Sequence, residues 1–120
     1  MTRQQPNDAG VATVWTALAA AALIALSVLV WWLAAAITAR HRIEAAADLG
    51  ALAAASHAAE GPTAACARAE EVADHQKAVV ISCRWRNRDA YVEVRAATAP
   101  GPGLPTPTAK ARAGPVEAPP

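Results

Sequence analysis

The chain has 120 residues, 54% hydrophobic and 18% charged, with a formal net charge of +1 and no Phe. Thirty-five residues are alanine, so the apolar total is mostly methyl groups rather than large core-forming side chains. This length allows one domain at most and excludes a multi-domain soluble enzyme. The near-neutral charge excludes a nucleic-acid binder, whose footprint is strongly basic.

Positions 9–39 carry no charge, and Val11 to Ala39 reads as one apolar helix. Thr13, Thr16 and Ser27 interrupt it only nominally, because their hydroxyls bond back to carbonyls one turn earlier. A bilayer core of ~30 Å needs ~20 apolar residues, so this run predicts a transmembrane helix over 11–39 behind a short leader, 1–10. Trp15 stands near one end, with Trp31 and Trp32 near the other, ~24–26 Å apart along a helix. That is close to the spacing of the two aromatic belts, so these three are the expected interface anchors. A cleaved secretory signal is the alternative, with Ala34-Ala35-Ala36 as its cleavage site, although the apolar run far exceeds the usual ~7–15 residues. Ala17, Ala21 and Ala25 form a small-xxx-small stripe suited to close helix approach. Arg40 and Arg42 after the run, against Arg3 before it, mildly favour a cytoplasmic C-terminal side.

From Arg40 the helical pattern continues to Glu60, with Ile43, Ala46, Ala47, Leu49 and Leu52 as its apolar face. Gly61-Pro62 stops it. Thr63 is placed to cap a second helix running to about Lys77. Val79 to Trp85 alternates like a strand, with Val79, Ile81, Cys83 and Trp85 on one face. Asn87 to Asp89 is turn material, and Ala90 to Ala96 forms a second strand. Pairing the two buries Ile81, Cys83, Trp85, Val92 and Val94, and sets Glu93 beside Arg84 or Arg86 as a cross-strand ion pair. The expected fold is therefore α+β and membrane-anchored: a long helix, a short helix and a two-stranded antiparallel hairpin, with the folded part at 40–98. Residues 99–120 hold seven of the nine prolines. That composition favours an extended, solvated chain, so this tail is expected to be disordered. PxxP patterns occur in it, but such tails usually act as spacers.

Cys66 and Cys83 would link the second helix to the first strand. Closing that loop is worth ~3 kcal/mol in the chain-entropy model, and a domain this small needs such a staple. The disulfide implies an oxidising, extracytoplasmic side, which outweighs the mild charge preference. Two buried thiols in a cytoplasmic domain are the alternative. His41, His57 and His75 match no ligand spacing, so they read as solvated helix-face residues and no metal is expected. Arg84, Arg86 and Arg88, with Arg95 on the second strand, form a basic face. It reads as solvated, or as a contact for lipid phosphates or an acidic partner. Adjacent Glu70 and Glu71 diverge around a helix, and no nucleophile elbow, phosphate-cradling glycine loop or HExxH is present. Catalysis, cofactors and a small-molecule substrate are therefore not expected.

In order along the chain, these segments resemble a known family. Asp8-Ala9-Gly10-Val11-Ala12-Thr13-Val14 before the apolar helix resembles the start of TadE-like proteins of the tight-adherence (Flp) pilus machinery. Ala39-Arg40-His41-Arg42, Ala45 to Leu49 and Ala51 to Ala55 are similar to the core of an actinobacterial subfamily found in secretion-gene neighbourhoods. Gly61-Pro62 before Ala65-Cys66, Ser82-Cys83, Val92-Glu93-Val94 and Ala111 to Val116 extend the resemblance over residues 8–116. It implies a pilin-like subunit with a cytoplasmic N-terminus, one membrane helix and a small external domain. Its partners would be membrane lipid, pilin-like subunits and pilus or secretion assembly proteins. Related precursors are cut after a glycine, which corresponds here to the Gly10–Val11 bond. Their fifth residue after the cut is a glutamate that pairs with a neighbouring subunit; here it is Trp15. The resemblance thus implies a minor pilin or accessory subunit rather than a filament-forming one. A small secreted or anchored binding module, released by signal peptidase, is the alternative.

Overall fold

The computed structural model describes residues 8–116. Residues 1–7 of the expected leader and 117–120 of the expected tail lie outside the described residues. The elements are α1 (Asp8–Ser56), a 3-10 turn (Ala58–Glu60), α2 (Pro62–His75), β1 (Ala78–Arg86), β2 (Asp89–Ala96) and β3 (Thr108–Ala113). Two compact units meet between Ala34 and Ala35.

The first unit is the opening stretch of α1. Its large side chains are exposed, Leu18, Leu23, Ile24 and Leu29 among them. Thr16 Oγ1 donates to the Ala12 carbonyl and Ser27 Oγ to the Leu23 carbonyl, each at 2.8 Å, so both hydroxyls are absorbed by the helix. From Gly10 onward α1 is long and apolar enough to cross a membrane.

The second unit begins inside α1 and contains everything after it. Its core is Ile43, Ala46, Ala47, Ala51 and Ala54 from α1, Ala65, Ala69 and Ala73 from α2, and Ala78, Ala90, Val92 and Val94 from the sheet. Nine of these twelve are alanine, so little area is buried per residue, and what the core gains instead is close backbone approach. A Cβ placed on Gly50 would lie 3.5 Å from Val92 Cγ1 and 3.7 Å from the Ala69 carbonyl oxygen, so α1 touches both β2 and α2 there. Leu49 and Leu52, expected on this face, are instead 45% and 60% exposed. The stripe at 43, 46–47, 50–51 and 54 keeps helical spacing with small residues, and it leaves the leucines on the flank.

α1 ends at Ser56, and Gly61 at φ 99° starts α2 without a side-chain cap, with Pro62 in its first turn. The expected Thr63 cap is thus replaced by Gly61, since Pro tolerates the first helical turn and already sets its φ. The Ala65 N–H donates to the Gly61 carbonyl at 3.0 Å. A disulfide joins Cys66 of α2 to Cys83 of β1, with Cα atoms 6.0 Å apart.

The sheet corrects the expected architecture in two ways. It has three antiparallel strands in the order β1-β2-β3 rather than two. The third lies in the segment expected to be disordered: Thr108 to Ala113 pairs with β2 from Arg95 to Ala90. Its Ala109, Ala111 and Ala113 are half-buried while Thr108, Lys110 and Arg112 are exposed, a period of two written in alanine. The second correction is a bulge in β1. Val80 faces Val94 but Ser82 faces Glu93, so Ile81 has no opposite residue. One extra residue flips the faces, and for that reason Val80 packs on the core while Ile81 is 47% exposed.

Candidate contact face

On β2 the buried Ala90, Val92 and Val94 alternate with Asp89, Tyr91, Glu93 and Arg95, so the latter share the face away from the helices. Register adds the neighbours. Arg84 opposes Tyr91 and Arg86 opposes Asp89 on β1, while Arg112 opposes Tyr91 and Lys110 opposes Glu93 on β3. Five cations, Arg84, Arg86, Arg95, Lys110 and Arg112, thus share this face with Tyr91, and Asp89 and Glu93 are the only carboxylates on these strands. The Arg86 and Arg112 guanidinium carbons stand 6.0 and 5.8 Å from the Tyr91 ring centroid, within cation–π range.

The carboxylates neutralise β3 rather than β1. Arg112 Nη2 meets Asp89 Oδ2 at 2.7 Å, and Lys110 Nζ meets Glu93 Oε2 at 3.8 Å. The expected partner of Glu93 on β1 is therefore replaced, because the bulge sets Ser82 opposite it and β3 brings a lysine from the other side. Arg84, Arg86 and Arg95 are exposed on this face, as are Lys110 and Arg112 despite their ion pairs.

Arg88 does not join this face. It sits in the β1–β2 turn, where Asn87 takes φ 56°, a value Asn tolerates better than most residues. It lines a cavity of about 600 Å³ with Leu52, Pro62, Trp85 and Pro115. Trp85 packs on the core, and its buried Nε1 has no hydrogen-bond partner.

The remaining candidates are placed as follows. Gly10 and Val11 both lie within α1 and are exposed. Trp15 is 70% exposed, and Trp31 and Trp32 meet edge to face with centroids 6.3 Å apart. His41 lies 3.7 Å from Glu44, and His57 Nδ1 is 2.9 Å from the Ala53 carbonyl oxygen. Among the described residues, no three of His, Cys, Asp or Glu stand together as a metal-binding group. The alternation of β2 already set Tyr91, Glu93 and Arg95 on one side, while Lys110 and Arg112 are the members of the face that sequence reasoning missed. The signal was present in the alternation Thr-Ala-Lys-Ala-Arg-Ala, hidden by the prolines around it.

Compared with known protein families, curated proteins and solved structures, the chain finds no match.

Proposed function

We propose that this chain is a bitopic, TadE-like minor pilin or accessory subunit of a tight-adherence-type pilus or secretion system. On this reading it acts by position: the apolar part of α1 packs laterally in the membrane, and the head offers a protein contact surface outside. The observation that carries the reading is the continuity of α1. One helix from Asp8 to Ser56 serves first as an exposed apolar rod and then as a core element of a small disulfide-stapled head. The sequence resemblance over residues 8–116 supports the same reading. Trp15, standing where filament-forming relatives have glutamate, favours an accessory role.

On the external side, the exposed Arg84, Arg86 and Arg95 beside Tyr91 suit an acidic protein surface, since uncompensated charge steers association. The test is photo-crosslinking in the native host, with probes at Ala21 in the helix and at Arg84 on the sheet. Adducts with pilin-like or secretion-assembly membrane proteins are the expected result. Recovery of a chain lacking α1 residues 11–34 from the medium, with no membrane adduct, would contradict the proposal in favour of a secreted module.

A further inference from the structure

The head has two unlike ends. At one end lie the β1–β2 turn and its neighbours Arg86, Arg88, Asp89 and Arg112. At the other, the β2–β3 connection belongs to an uncharged stretch that covers positions 96–109. That connection is ordered: Ala96 N–H donates to the Pro107 carbonyl at 3.1 Å, and Leu104 N–H to the Gly101 carbonyl at 3.2 Å. It faces α1 where the uncharged run of the helix ends. Ala36, Ala39 and Arg40 line one wall of a groove of about 340 Å³, and Leu104, Pro105 and Pro107 line the other.

We infer that this groove and the β2–β3 connection form a second membrane contact, seated in the lipid headgroup region. The inference rests on the proposal that α1 spans the bilayer. Arg40 ends the uncharged run of positions 9–39, so it marks where the helix leaves hydrocarbon, and the groove lies at that level. A lipid surface suits the lining better than an aqueous one, because no side chain from 96 to 109 is charged. The backbone there also resists water loss less than most loops do. Pro100, Pro102, Pro105 and Pro107 carry no N–H, so four donors that would need water are missing. Arg40, its side chain 78% exposed and held to Glu44 at 3.0 Å, stays at the polar rim of the groove.

The test uses the full chain in vesicles of phosphatidylethanolamine and phosphatidylglycerol, with the native disulfide intact. An environment-sensitive fluorophore is attached in turn to Leu23→Cys, Leu104→Cys, Thr106→Cys and Arg88→Cys. The probes at 104 and 106 should shift to the blue and be quenched more by headgroup nitroxides than by mid-chain ones. The probe at 23 should show the reverse preference, and the probe at 88 should keep its aqueous emission. Aqueous emission at both 104 and 106, with 23 quenched in mid-chain, overturns this inference and leaves the span standing. Aqueous emission at 23 overturns the span and this inference with it.

Discussion

In α1 up to Ala34 the large side chains point outward and the helix has no core of its own, as Leu18, Leu23 and Leu29 illustrate. Between Ile43 and Ala54 the same helix buries its alanines, and its leucines stay on the flank. Alanine and leucine occur in both stretches, but the second adds Glu44 and Asp48 and has no tryptophan. On the proposed membrane-spanning reading the partner of the first stretch is hydrocarbon, where bulky side chains are useful everywhere around the helix. Where the partners are α2 and β2 at close range, the buried stripe beyond Ile43 is Ala and Gly, and size becomes an obstacle. Apolar content alone therefore does not say which side of a helix is buried.

Five variants test that contrast. The largest effect is expected for Leu23→Arg, since a cation at mid-span costs ~2.5–3.5 kcal/mol of insertion free energy. The fraction of chain resisting alkaline extraction from membranes should fall, while the unfolding of the head stays unchanged. Replacing both cysteines, Cys66→Ser with Cys83→Ser, should destabilise the head by ~3 kcal/mol through the released loop entropy. Denaturant titration of the head reads this loss, and membrane extraction should not change. Ala47→Leu forces a large side chain into the alanine core and should cost ~1–3 kcal/mol by the same titration. The same change at Ala21, in the apolar stretch, should leave the head's unfolding midpoint where it was. The smallest effect is Gly50→Ala. Its new methyl would meet Val92 Cγ1 at an ordinary 3.5 Å, and Ala is the better helix former. The head should be unchanged or stabilised by up to about 1 kcal/mol.

The legible parts of the fold were those governed by composition or by one strong constraint. The apolar run of positions 9–39 fixes a helix long enough to span. The two cysteines find each other, as the shortage of large core residues suggests. The β1–β2 pairing is readable from Val92, Val94 and the turn at Asn87. What escaped has a physical reason in each case. β3 is spelled in Ala, Lys and Arg between prolines, so its alternation is overwhelmed by a composition typical of solvated chain. The β1 bulge moves Ile81 to the outside, and nothing local in Val-Val-Ile-Ser-Cys marks the extra residue. Arg84, Arg86 and Arg95 were readable as a basic face. Lys110 and Arg112 depend on the third strand, and Arg88 leaves the face because the turn carries it to the other side.

On the proposed reading the chain is retained in the membrane by α1, with its disulfide-bonded head on the oxidising side. The most direct measurement is the intact mass of the chain isolated from its native host, before and after reduction. The claim predicts that residues 11–39 are retained, whether or not the Gly10–Val11 bond is cut, and that reduction adds ~2 Da as the Cys66–Cys83 bridge opens. Loss of the whole apolar segment, or no gain on reduction, would contradict it.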